Sequence, residues 1–166
     1  MRILLIAIVM VANFAHSTWA NAPKSSNRWV GMVTHVSDGD TLWVRKAGVS
    51  APFKVRLDGL DAPEICQDHG EASRQALASL VLKEVVVVQG RRRDNYGRLL
   101  ARLSVHGDDV GSVLVAQGHA WSSQYRKNPG PYATEETHAR AARRGLFARP
   151  GAVRPGDFRR RHGACA

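Results

Sequence analysis

A chain of 166 residues with 24 Lys and Arg against 14 Asp and Glu carries a formal net charge of +10 and a pI near 10.6. That length supports one domain with a real core. After the first twenty residues no segment is apolar enough to cross a membrane, which excludes a spanning helix beyond that segment. So basic a balance favours nucleic acid or an anionic surface as partner, with solubility alone as the plain alternative.

Residues 1–20 have the form of a targeting segment: Arg2 gives a positive start, Ile3 to Ala15 is apolar apart from Asn13, and Thr18 and Ala20 are small residues at −3 and −1. Cleavage is expected after Ala20. Cleavage after Ala22 would leave Pro23 at +1, which disfavours it, and an uncleaved anchor is the competing reading. The mature chain is expected to be secreted or periplasmic, free of the membrane and monomeric. Residues 21–27 follow as a flexible leader.

Short β-type runs come next, at 29–36, 41–45 and 53–60, joined by turn chemistry in Asp38-Gly39 and Gly48-Val49-Ser50-Ala51-Pro52. The period then changes. Ala72, Ala76, Leu77, Leu80 and Val81 share one helical face, which predicts a helix over 71–82 after the break at Gly70. Strands are predicted at 85–88 and 99–105 with a turn at 94–98 between them. Helices follow at 110–117, stopped by Gly118, and at 134–144, stopped by Gly145. The order β-β-β-α-β-β-α-α predicts an α+β, β-rich domain over 28–148: an OB-fold, five-stranded antiparallel barrel with three packed α-helices. The tail, 149–166, holds Pro150, Gly151, Pro155, Gly156 and five arginines. It is expected to be basic and irregular, either a solvated end or an extra phosphate contact.

Cys66 and Cys165 are the two cysteines. In an oxidising compartment an even pair favours a disulfide. It would tie the tail to the loop after Glu64 and close about 100 residues, worth about 4–5 kcal/mol in the chain-entropy account. Fraying of the chain end works against it. Their spacing is not that of a zinc site.

The chemistry-bearing residues fall in four short words. Asp38, Asp40, Asp58, Asp61 and Glu64 lie at strand ends and turns, with no thiolate or paired His beside them. Such oxygen donors suit Ca2+ or Mg2+. In Asp61-Ala62-Pro63-Glu64 the proline fixes φ and pushes Ala62 out of the helical region. That aims the two acids at one pocket and leaves the Ala62 carbonyl free for a cation. Arg56, between Val55 and Leu57, faces away from them, and Arg98 lies in a turn. Guanidinium forks match phosphate oxygens. Read singly, each word is ordinary turn sequence and each arginine a surface cation.

In order, Asp38-Gly39-Asp40-Thr41, Val55-Arg56-Leu57, Asp61-Ala62-Pro63-Glu64, Glu71-Ala72, Asp94-Asn95-Tyr96-Gly97-Arg98 and Leu114-Val115 with Gln117-Gly118 resemble the staphylococcal nuclease (thermonuclease) family over roughly residues 29–147. The resemblance implies an OB-fold and Ca2+-dependent endonucleolytic hydrolysis of DNA and RNA, single strands favoured, to 3′-phosphates. It implies Asp40 and Asp61 as side-chain ligands of Ca2+, the Ala62 carbonyl as a third, and Asp38 supporting bound water. Glu64 would serve the attacking water, and Arg56 and Arg98 would hold the phosphate. Tyr96 and Tyr125 would bind the substrate, Tyr125 slightly out of register after Trp121-Ser122-Ser123. Ala62 stands where the best-known member has threonine, and the loop 64–71 is shorter and carries Cys66. A non-catalytic binding module on the same fold is the alternative, and a basic surface-adhesion protein a third reading; Asp40, Arg56, Asp61, Glu64 and Arg98 together favour the enzyme.

Overall fold

The computed structural model describes residues 27–163 and residue 165. The expected signal segment and all but the last residue of the leader lie outside those residues. The strands bury alternate side chains as the β period requires. β1 (Asn27–Val36) turns Gly31, Val33 and Val36 inward, and β2 (Thr41–Lys46) turns Leu42 and Val44 inward. β3 (Phe53–Leu57) buries Val55 and Leu57 on either side of a half-buried Arg56, as its place between two apolar residues predicts. Here the strand ends, three residues earlier than expected: Gly59, at φ +88°, turns the chain into the two-residue β4 (Leu60–Asp61).

α1 (Gly70–Val81) follows, with the expected boundaries to within a residue. Its inward face differs. Ser73 is buried and Ala72 is exposed, because the Ser73 hydroxyl donates to the His119 carbonyl at 2.7 Å and so satisfies itself inside. β5 (Val85–Arg93) runs past the expected end at Val88, through Gly90 and three arginines, because β6 (Leu99–Val105) supplies ladder partners along that length.

Each strand in the series β3-β2-β1-β5-β6 pairs antiparallel with the next. The barrel closes where β3 meets β6, with Val55 opposite Leu99 and Leu57 opposite Ala101, and that pairing is parallel. The expected all-antiparallel barrel is thereby corrected to a mixed one. The reason is counting: directions cannot alternate all the way round a closed ring with an odd number of strands. The fold is otherwise the expected α+β, five-stranded OB-type barrel.

β7 (Asp108–Asp109) folds back antiparallel on the end of β6 and leads into α2 (Val110–Ala116), whose first turn is capped by Asp109 accepting from the Ser112 N–H at 3.0 Å. β8 (Trp121–Ser122) pairs with β4, and α3 (Ala133–Ala141) and a 3-10 turn (Gly145–Ala148) pack beyond it. Barrel and helices share one core that includes Val33, Leu42, Leu57, Leu77, Leu103 and Leu114.

The tail is not irregular. It forms a fourth helix, α4 (Pro155–His162), where three were expected. Pro155 sits in its first turn, where a missing N–H costs nothing, so a residue readable as a breaker is a helix start here. The segment is also anchored. Gln67 Nε2 donates to the Val153 carbonyl at 2.6 Å, Arg154 pairs with Glu136 at 3.0 Å, and Cys66 and Cys165 form a disulfide across a separation of 99 residues.

Gly39 sets how closely α1 approaches the loop between β1 and β2. A Cβ there would lie 2.1 Å from Ser73 Oγ and 2.7 Å from Ala62 Cβ. Ser73 is held by its bond to His119, so it cannot yield cheaply. Gly39→Ala is expected to destabilise the fold by about 1–3 kcal/mol, as overpacking does. A urea titration checks this, and an unchanged midpoint would show that α1 gives way freely.

Candidate active site

The β2–β3 register sets Thr41 opposite Arg56. Asp40, one residue before Thr41, therefore sits at the barrel mouth beside the Arg56 side chain. β4 brings Asp61 to the same place from the other side. Arg56 Nη2 lies 2.9 Å from Asp40 Oδ2 and 2.7 Å from Asp61 Oδ1, so two carboxylates converge on a single nitrogen. Asp40 is buried and fully engaged: Oδ1 accepts from the Thr41 hydroxyl at 2.8 Å, and Oδ2 also accepts from the Ala62 N–H at 3.4 Å. Asp38 accepts from the Asp40 N–H at 2.9 Å, which fixes the turn between them.

Crowding of like charge shows in the acids. Burial, and then the charge of Asp40, push the Asp38 carboxyl up to about 6. The same two causes raise Asp61 against the opposing pull of Arg56 and Arg159. Burial works against the Arg56 cation, but Asp40 and Asp61 outweigh it and hold the guanidinium charged.

Pro63 ends β4 cleanly, and Glu64 is held behind it by its N–H donating to Gln67 Oε1 at 3.2 Å. Arg98 comes from the β5–β6 turn. Its Nε donates to Asp94 Oδ2 at 2.8 Å and its Nη1 to Thr41 Oγ1 at 3.3 Å, which points the fork toward the acids. Asp38, Asp40, Arg56, Ala62, Glu64 and Arg98 line one open groove of about 510 Å³. Tyr96 stands on its rim, 84 % exposed, with the Arg98 guanidinium 5.4 Å from its ring centroid. Tyr125 does not line this groove; it is 71 % exposed and bridged to Asn128 in a separate loop. The groove has two further cations that the sequence did not single out, Lys54 and Arg159.

Among the described residues no group of three or more His, Cys, Asp and Glu is spaced as a metal cage. The oxygen donors that do converge are the carboxylates of Asp40 and Asp61, with the Ala62 N–H donating to Asp40 beside them. One carboxylate is buried, and the two already share one cationic point. That set fits a hard divalent ion that keeps water among its ligands, not zinc.

A family model described as Staphylococcal nuclease homologue matches residues 54–149. The chain belongs to the staphylococcal nuclease family. It is therefore a nuclease, a phosphodiester hydrolase, of a metal-dependent family. Among its relatives, the protein ParB of Escherichia coli is 36 % identical over 141 residues, covering 78 % of each chain. An uncharacterized endonuclease of Haemophilus influenzae is 32 % identical over 160 residues, 96 % of this chain and 85 % of the relative. A micrococcal nuclease of Shigella flexneri is 31 % identical over 171 residues, 96 % and 92 % of the two.

One contact near the site had no sequence signal. His69 and His119, fifty positions apart, stack with Nε2 and Nδ1 3.0 Å apart. Burial lowers the pKa of both, and the charge of His69 lowers that of His119 further. A histidine whose folded pKa lies below its unfolded one adds stability above the unfolded value, near 6.5, and loses it as pH falls toward the folded value. The pair's contribution to the urea midpoint is accordingly expected to fall between pH 8 and pH 5, opposite in sign to that of Asp38, whose raised pKa favours the fold as pH drops. His69→Asn, which tolerates the left-handed φ of +69° at this position, is expected to lose less stability than the parent over that range. Equal changes of midpoint in both proteins would remove the pair's contribution.

Proposed function

We propose that the chain is an exported, Ca2+-dependent endonuclease that hydrolyses DNA and RNA, single strands favoured, to 3′-phosphate products. The observation that carries this reading is the convergence of Asp40 and Asp61 on Arg56 in a groove shared with Glu64 and Arg98, in a chain of this family. Asp40, Asp61 and the Ala62 carbonyl would hold the ion, which when bound draws charge from a phosphoryl oxygen and lowers the cost of the dianionic transition state.

The chain's own groups divide the remaining work. Asp38 fixes the Asp40 turn and offers an acceptor for water in the groove. Glu64 accepts a proton from the attacking water, within the range open to a positioned carboxylate. Arg56 and Arg98 hold the phosphate oxygens, and their charge opposes the extra negative charge of five-coordinate phosphorus. Tyr96, on the rim beside Arg98, offers a face for a base. Tyr125 lies outside the groove and is given no role in binding.

Export is supported by the apolar segment 1–20, outside the described residues, and by the Cys66–Cys165 disulfide, which persists in oxidising compartments. No helix among the described residues is long and apolar enough to cross a membrane.

Purified mature protein incubated with denatured DNA is expected to cut it with Ca2+ and to stop on addition of chelator. Binding without cleavage under every divalent cation would return the chain to the binding-module alternative. Glu64→Gln is expected to lower kcat by about a hundredfold or more, with KM changed little. An unchanged kcat would remove Glu64 from its assigned role.

A further inference from the structure

The folded tail puts an arginine into the groove. Arg159 of α4 donates through Nη1 to Glu64 Oε1, and its Nη2 lies 3.7 Å from Asp61 Oδ2. It lines the same groove as Arg56 and Arg98. Its approach is fixed by a frame. Pro155 is buried, Val153 and Arg154 are bonded to Gln67 and Glu136, and Cys165 is joined to Cys66, two residues beyond Glu64. The helix thus contributes one side chain to the groove, that of Arg159, which is still 43 % exposed.

The three arginines differ in what they have free. Arg56 is committed to two carboxylates through one nitrogen, and Arg98 gives its Nε to Asp94. Arg159 is engaged with Glu64, the carboxylate that must turn to water during the reaction. A guanidinium there exchanges one oxyanion for another at little cost, because its fork fits carboxylate and phosphate alike.

We propose that Arg159 is a third phosphate-binding residue of the nuclease site, supplied by the C-terminal helix, and that it takes a phosphate of the bound strand when the strand displaces it from Glu64. This rests on the nuclease reading above. It assigns the arginine-rich tail to substrate binding at one residue, not to charge spread along the chain end. Among the described residues Arg160, the next in the chain, pairs within α4, with Asp157.

The test compares the full mature chain with Arg159→Gln, which keeps most of the side-chain stem, and with Arg160→Gln, which removes the same charge one position away. Two quantities are measured: steady-state cleavage of a defined single-stranded DNA with Ca2+, and equilibrium binding of the same oligonucleotide in chelator across a salt series. Arg159→Gln is expected to raise KM roughly five- to tenfold, as loss of a partly exposed charged hydrogen bond does. It should also reduce the slope of log K against log salt by about 0.7, the value for one phosphate contact on a single strand. Arg160→Gln is expected to change KM less than about twofold. Unchanged KM and slope in Arg159→Gln, or equal losses in both variants, would overturn the proposal. So would a rise in kcat, which would make Arg159 a block on Glu64. If the wild type binds but never cuts, the nuclease reading fails, and the salt slopes still decide whether Arg159 holds a phosphate.

Discussion

Arg56 is the constraint on which the site depends. Its guanidinium stands between Asp40 and Asp61 at the mouth of the barrel, most of its surface covered. Removing Arg56 would leave two close carboxylates uncompensated in a poorly solvated place, which costs far more than the pairing returns in stability. The arrangement is therefore poor as a device for holding the fold together and good as one for keeping oxygen donors close. Asp61, which burial and the charge of Asp40 push toward protonation, is kept within reach of Asp40 by a cation on a strand, and a strand is a rigid place to put it.

The barrel supplies that rigidity. Closure through one parallel pair leaves neither edge of the five-stranded ring free, and it fixes β3 between β2 and β6. Arg56 thus has a ladder neighbour on both sides. Asp40 and Arg98 each lie one residue before a ring strand, β2 and β6, while Asp61 closes β4 and Glu64 follows three residues later, so each is placed by a strand end close by. Gly39 and Ser73 then set the depth at which α1 supports those connections from behind, through a contact too close for any side chain at position 39.

Much of this was legible in the sequence because it is local. Asp-Gly turns, the lock of Pro63 on Ala62, and the alternation that turns Arg56 away from Val55 and Leu57 are short-range facts, and the helix boundaries for α1 and α2 follow from apolar period and glycine stops. What was not legible depends on contacts between distant segments. The length of β5 past Gly90 is decided by β6, and the inward turn of Ser73 by a carbonyl at position 119. The stacking of His69 on His119 has no trace in either neighbourhood. Tyr125 matched the resemblance only slightly out of register, and it lies outside the groove, bridged to Asn128. α4 was hidden by its own composition: prolines and glycines that suggest coil serve as a helix start and stop once Gln67, Glu136 and Cys66 hold the segment. The cysteine pair alone signalled that the tail returns to the Glu64 loop.

That covalent bond gives the protein two separate sensitivities. The barrel is maintained by buried apolar side chains that no thiol reagent touches, whereas α4 is tied to the loop after Glu64 by the Cys66–Cys165 bond, the one sulfur linkage in the chain. A reductant can cut only the link between the chain end and the loop after Glu64; the bonds of Val153 to Gln67 and of Arg154 to Glu136, at the start of α4, are beyond its reach.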